Sequence, residues 1–438
     1  MAFLTGAVRR DQSSKFSPSQ TNQVYPKVSA SLVLSDLDTW KNAAFTNTFN
    51  SLKLRASYGE AGNLAGILSY DRFYRFQPST TPFLGRSTFL PSSQLANLNV
   101  RPERNNELEG GVDLGFLNDR IGFTATVYYQ RIKDLVVPRT LAPTSGGSLI
   151  VDNVGEMENR GVELQLTGTP IKKEDFTWDV SFIYNRNRNK VTKLPRVNGN
   201  AQAIPIENAA GAPVFLVEGQ PAGVFFGTAY ARNPDGSFLL TPQGFRQDER
   251  AASQASGSVD YVPDRTGGDG QPNTSRPLAN VIIGDPNPDW TGSFSSNLTY
   301  KKLGLRVLLD AVQGVSVFNA DKRTRQGVGL GDLAEQELRG ELPRGYIFSV
   351  YNTQEFRVDD GSFVKLREIA LSYGLPTLTT FINSLNLSLI GRNLYSWDNY
   401  NGFDPETSAG GASDLLRAID FGNVPVPRTY QVKLTATF

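Results

Sequence analysis

Neither cysteine nor histidine occurs in the 438 residues. Without cysteine there is no disulfide framework and no thiol chemistry. Without histidine the usual general base and the commonest zinc ligand are missing. Any catalysis would rest on carboxylates, lysine, tyrosine or serine. An excess of one charge sign is missing as well: Lys plus Arg number 44, Asp plus Glu 43, and the net charge is +1. No strong field points at nucleic acid. No apolar run approaches the ~18 residues of a transmembrane helix. A β-barrel would show none either, because every second residue of its strands is polar. Met1 to Arg10 lacks the basic-then-apolar order of a signal peptide and looks like the inside of a strand. That start fits a cytoplasmic chain or a piece of something longer.

What is present is alternation. In Pro427 to Phe438, Tyr430, Val432, Leu434, Ala436 and Phe438 fall on one side. Thr429, Gln431, Lys433, Thr435 and Thr437 fall on the other. Period two means a strand with one apolar and one polar face. Its length suits a tilted membrane strand of about 9–11 residues. The same pattern marks Ala2–Arg10, Pro26–Leu34, Ser51–Tyr58, Asn106–Phe116, Ile121–Lys133, Asn159–Thr167 and Phe176–Asn185. It returns in Trp290–Tyr300, Leu303–Gln313, Ser362–Tyr373 and Leu385–Tyr395. Together they predict about twelve strands.

Between them, short turns such as Leu117–Arg120, Gly168–Asp175, Lys301-Lys302 and Gly374–Ser384 alternate with long segments. The long ones are Glu60–Arg101, Asp134–Glu158, Arg186–Asp289, Gly314–Gly361 and Ser396–Val426, read as loops. Pro234-Asp235-Gly236 marks a local hairpin inside the longest. Counted back from the carboxy-terminus, every long connection falls at one end. Outer-membrane barrels are built this way, with short periplasmic turns and long external loops. Sandwiches and propellers give no reason for such asymmetry. The expected fold is therefore all-β: an antiparallel transmembrane β-barrel segment. A soluble β-rich carbohydrate-binding or adhesin module stays open as the alternative at this point.

Several segments resemble the SusC/RagA family of TonB-dependent outer-membrane transporters. They are LTGAVRRDQSSKF from Leu4, LKLRASYGEAGN from Leu52, Arg101-Pro102-Glu103 followed by ELEGGVDLGF, and NRGVELQL from Asn159. IGDPNPDW from Ile283, VDDGSFVKLREIALSY from Val358 and RNLYSWDNYNGFDPE from Arg392 complete the series. They lie in the family's order across nearly the whole chain. The resemblance covers only the carboxy-terminal part of a typical member. Such a member begins with a signal peptide, a carboxypeptidase-like domain, a TonB-contacting segment and a plug. Its barrel then has about 22 strands. Residues 1–438 would be the last half of that barrel. The resemblance implies import of an oligosaccharide or peptide ligand through outer-membrane lipid. A SusD-like surface lipoprotein would cap the barrel from outside, and the TonB complex would act through the part upstream. It implies no cofactor and no covalent chemistry.

The candidate sites are few. Tyr395, Trp397, Tyr400 and Phe403 are aromatics at the outer end of a strand, able to stack on sugar faces. An interfacial girdle would need the same residues whatever is carried, and this plainer role is favoured. Asp285 and Asp289, set among Pro286 and Pro288, read better as a rigid turn than as a metal loop. Asp264 and Asp269 bracket a Gly-rich stretch similar to a calcium loop, but Ser275 stands where that loop needs a Glu, so a turn is favoured there too. Glu107, Glu109 and Asp113 share a polar face, as do Lys53 and Arg55. Paired carboxylates serve glycosidases, yet a solvated lumen wall is the simpler expectation, and the chain reads as no enzyme.

Overall fold

In the computed structural model, described for residues 1–64, 66–79, 84–197, 199–207, 209–249, 280–376, 381–406, 408–411 and 416–438, twelve long strands follow one another in a single antiparallel meander. They are β1 (Ala2–Gln12), β2 (Asn22–Val33), β3 (Phe49–Asn63), β4 (Glu103–Phe116), β5 (Ile121–Thr140) and β6 (Leu149–Lys172). Then come β7 (Phe176–Lys193), β8 (Trp290–Tyr300), β9 (Leu303–Gln313), β10 (Phe363–Leu375), β11 (Ser384–Asp398) and β12 (Thr429–Thr437). Each pairs with its neighbours in chain order. The short piece Gln94–Leu95, parallel to the start of β6, brings this sheet to 13 strands. Among the described residues β1 and β12 do not pair with each other, so the sheet is a partial barrel.

The register sorts the two faces. Leu389 sits between Leu371 and Val432, and Leu387 between Tyr373 and Leu434. Leu305 sits between Leu298 and Leu371, and Leu166 between Phe123 and Phe182. The apolar set of every strand thus lies on one surface. These residues are in mid-sheet, yet Val127 is 56% exposed and Leu389 50%. No second sheet covers them among the described residues. A greasy surface left open in mid-sheet is what a lipid-facing barrel wall needs, and a soluble sandwich would have buried it. The soluble-module alternative falls here.

Two of the short turns are as expected. Lys301-Lys302 joins β8 to β9, with Lys301 at φ +51°. Leu117, Asn118 and Asp119 turn β4 into β5 at φ +56°, +57° and +60°. Asn and Asp tolerate that left-handed conformation, Leu less well. The Asn50 amide braces the turn by donating to Asp119 Oδ1 at 2.5 Å. The β2–β3 connection at the same end is longer and holds helical turns at Leu34–Asp36, Asp38–Lys41 and Ala44–Asn47.

Three expectations are corrected. The segment Asp134–Glu158 is mostly strand, not loop: Val136 to Thr140 pair with Asn153 to Leu149. The alternation breaks at Asp134, which has φ +58° and sits at a register shift. That bulge turns the pattern by one residue. Second, β6 and β7 run on to Lys172 and from Phe176, so the turn is only 173–175. Third, the two longest loops carry regular structure. Residues 204–284 hold a four-stranded sheet of Ile204–Glu207, Val214–Leu216, Val224–Thr228 and Asn280–Gly284. Residues 314–361 hold α1 (Ala320–Gly327) and two shorter helices. The turn at Pro234-Asp235-Gly236 is present, closed by the Arg232–Phe238 bridge.

Candidate functional site

The concave face of the sheet is polar by register. It carries Lys53 and Arg55 from β3, Glu107, Glu109 and Asp113 from β4, and Thr126, Tyr128 and Gln130 from β5. Asn159 and Glu163 from β6 and Asn187 from β7 extend it. Arg55 binds the wall together. Its Nε donates to both Asp113 oxygens at 3.3 and 3.1 Å, and its Nη atoms donate to Glu109 at 3.4 Å and Thr126 Oγ1 at 3.1 Å. An amide ladder continues sideways. Gln130 donates to Glu107 at 2.9 Å, Asn159 donates to Gln130 at 2.6 Å, and Asn189 donates to Asn159 at 2.7 Å. Tyr128 lies flat over Gly161, where a Cβ would stand 2.1 Å from its Cζ. Glu109 and Asp113 are therefore committed to one guanidinium. Glu107, Glu109 and Glu163 of this wall line one polar cavity of about 280 Å³ with Tyr128, Asn159 and Asn187.

The outer mouth is filled from the concave side. Ile204 and Leu216 of the small sheet, with Ala222 just before its third strand, pack on Leu135, Val137, Met157 and Val191 of β5, β6 and β7 and on Leu194 just past β7. A second cluster joins Val214 and Phe225 of that sheet and the adjoining Ala212 to Phe318, Ala320, Leu416 and Ile419. Three external segments are thus welded into one body. Asn319 is the hinge pin, fully buried. Its side chain caps α1 by accepting from Lys322 N at 3.0 Å, and donates to Asp359 at 3.1 Å and the Asn401 carbonyl at 2.8 Å. Lys322 pairs with Asp359 at 2.5 Å. Ser316–Asn319 pairs with Val358–Asp360 and, in parallel, with Ile419-Asp420.

A buried ion cluster ties the last external segment to the wall. Lys365 Nζ, on the concave face of β10, meets Asp404 at 2.6 Å and Glu406 at 2.9 Å. Arg367 bridges Glu406 at 2.6 Å and Asp310 of β9 at 2.8 Å. Burial pushes the Glu406 carboxyl up, but the hydrogen bonds and charges of Arg367 and Lys365 outweigh it and leave it below the usual range. Sequence reasoning missed this cluster. Its signal is the i, i+2 pair Lys365 and Arg367 in the quoted KLREIALSY run, answered by Asp404 and Glu406.

The four aromatic candidates separate. Tyr395 and Trp397 stand opposite Leu366 and Val364, on the lipid-facing surface, with their rings edge to face at 4.8 Å. They are half-exposed there, where a girdle residue belongs. Tyr400 is buried, its hydroxyl donating to Asp420 at 2.7 Å. Burial, then that hydrogen bond to Asp420, pushes the Tyr400 phenol well above its ordinary range. Phe403 is 77% exposed in the external segment. Tyr395 and Phe403 both line one cavity of about 330 Å³, which Trp397 and Tyr400 do not line. Asp285 accepts from Asn287 N at 2.9 Å and Asn287 Nδ2 at 2.8 Å, which makes a turn. Asp289 pairs with Arg188. Asp264 and Asp269 lie outside the described residues. Among the described residues no cluster of three potential metal ligands occurs.

Comparison with known proteins accords with this geometry. Residues 3–394 match the family model for the TonB dependent receptor-like β-barrel. TonB-dependent receptor P3 of Formosa agariphila is 27% identical over 463 residues, covering all of this chain and 44% of the relative. TonB-dependent receptor SusC of Bacteroides thetaiotaomicron is 28% identical over 197 residues, covering 44% of this chain and 19% of SusC. The RagAB peptide transporter shares the fold with a TM-score of 0.77 at 21% identity, over all of this chain and 46% of that one. The chain thus spans under half the length of the curated relatives it matches. It belongs to the TonB-dependent receptor-like β-barrel family of the outer membrane.

Proposed function

We propose that the intact protein imports a nutrient across the outer membrane under TonB control, with a SusD-like lipoprotein capping the mouth. The cargo is an oligosaccharide, with peptide as the second class. The observation that carries this is the pairing of one polar concave wall with one lipid-facing surface, its mouth plugged by a body of three external segments. A wall of Arg, Glu, Asn and Gln side chains offers many weak hydrogen-bond partners and no covalent chemistry. That suits passage rather than turnover. External segments that reach inward would meet ligand and lipoprotein. The test is growth of the native host on defined glycans and defined peptides after deletion of the gene. Loss of growth on one class, reproduced by deleting TonB and by deleting the SusD-like lipoprotein, is the expected result. Unchanged growth on both classes overturns the assignment.

A further inference from the structure

Two arginines of the mouth share one aromatic ring and differ in what else they meet. Residues 230–248 fold back on themselves, with Tyr230 bridged to Asp248, Arg232 to Phe238 and Leu240 to Arg246. The Arg232 guanidinium lies 4.7 Å from the centre of the Phe238 ring, and that of Arg246 lies 4.0 Å from it. Arg246 is also 5.3 Å from the centre of the Tyr230 ring. Arg232 is paired with Glu355. Among the described residues Arg246 makes no ion pair and no side-chain hydrogen bond. Its flat head rests on Phe238, and the N–H donors that fan out in its plane are unclaimed.

Those donors border a cavity. Arg246 lines a space of about 310 Å³ to which all three external segments contribute. Ile283, Leu333, Phe356 and Val358 give it apolar walls, and Asn401 comes from the last segment. Four lining side chains are charged: Arg246, Lys322, Asp332 and Glu355. Lys322 is paired with Asp359 at 2.5 Å. Glu355 holds Arg232 and accepts from the Tyr230 amide at 2.7 Å. Asp332 accepts from Gln326 Nε2 at 2.5 Å. Arg246 alone of the four has neither a counter-charge nor a hydrogen bond among the described residues.

We propose that Arg246 receives a carboxylate of the ligand in this cavity, whose apolar walls take the ligand's body. This rests on the import reading above and sharpens it to acid-bearing cargo. A guanidinium fork matches the two oxygens of a carboxylate. The Phe238 ring beneath fixes the plane of the fork and keeps water from one of its faces, so little freedom is lost when the anion docks. The carboxylate has two possible sources, a uronic acid or a peptide carboxy-terminus.

The experiment uses the intact transporter in detergent and reads its melting temperature at constant ionic strength set with chloride. The probes are galacturonate, galactose, trialanine and trialanine amide. One or both carboxylates should raise the melting temperature, and galactose and the amide should not. Galacturonate alone points to uronic acids, free trialanine alone to peptides. Arg246→Gln should weaken the binding about tenfold or more, the worth of a charged hydrogen bond, and Arg246→Lys should restore part of it. Equal responses in wild type and Arg246→Gln, or no response to either carboxylate, overturn the proposal. So does an unliganded Arg246→Gln protein that melts well below wild type, since the stack on Phe238 then serves the fold and not a ligand. Binding is read without transport, so failure of TonB-dependent uptake sinks the import reading alone.

Discussion

Lys365 decides how firmly the last external segment is held. It is 5% exposed and its two carboxylate partners come from residues 404–406, far along the chain. Lys365→Met keeps the aliphatic volume and removes the Lys365 ion pair from Asp404, itself 7% exposed. Breaking a buried pair from one side costs about 3–5 kcal/mol. The expected result is cleavage of the 399–428 segment by protease under conditions that spare wild type. A half-buried pair is worth less, and Glu406→Gln should cost about 1–3 kcal/mol. The same cluster predicts pH dependence. Glu406 has a folded pKa below its unfolded value of about 4.3. Its contribution is therefore fully present above that value and is lost as pH falls through the lower folded one. Protease sensitivity of 399–428 should rise on acidification below about pH 4, and Glu406→Gln should flatten that rise. None of this was legible beforehand. Lys365 reads as one polar residue among many on a strand, and its partners lie beyond a loop whose path the alternation does not encode.

At the level of the strand, legibility was high wherever one face meets lipid. Period two fixes both the element and its facing, because a slip of one residue would turn every apolar side chain into the lumen. The pattern failed at bulges. After Asp134 the side chains Leu135 and Val137 face the buried cluster under the small sheet, so their spacing no longer matches the strand before them. Past Arg392, Asn393 at φ +51° shifts β11 against β10. The small sheet at the mouth failed for another reason: Ile204 and Leu216 find their partners on β5, β6 and β7, a long-range contact with no local sign. The facing itself is testable. Leu389→Arg puts a charge on the lipid surface and should cost about 2–4 kcal/mol if it lies near the midplane. Ser388→Arg, one residue away on the concave face, should cost under about 1 kcal/mol. Urea titration of the intact protein folded into vesicles separates the two, and equal costs would reverse the assigned faces.

Across the whole molecule, the two bordering strands govern what the 438 residues can do unaided. Among the described residues, β1 and β12 each leave one row of backbone N–H and C=O groups without a partner in the sheet. In water those groups would be hydrated. In hydrocarbon each unmet group costs several kcal/mol, and a row of them exceeds any stability a domain has to offer. Joining β1 to β12 would meet the rows only by closing a narrower barrel. Strand number, tilt and shear are linked, so the concave wall would tighten around a mouth already filled by the small sheet. Further strands between the two borders relieve both problems at once, and the relatives, more than twice as long, have room for them. We therefore expect the 438-residue chain, mixed alone with lipid vesicles, to give no heat-modifiable and protease-resistant band. Such a band from the isolated chain would mean that twelve strands close unaided, and that the concave wall is wider in a membrane than the register allows.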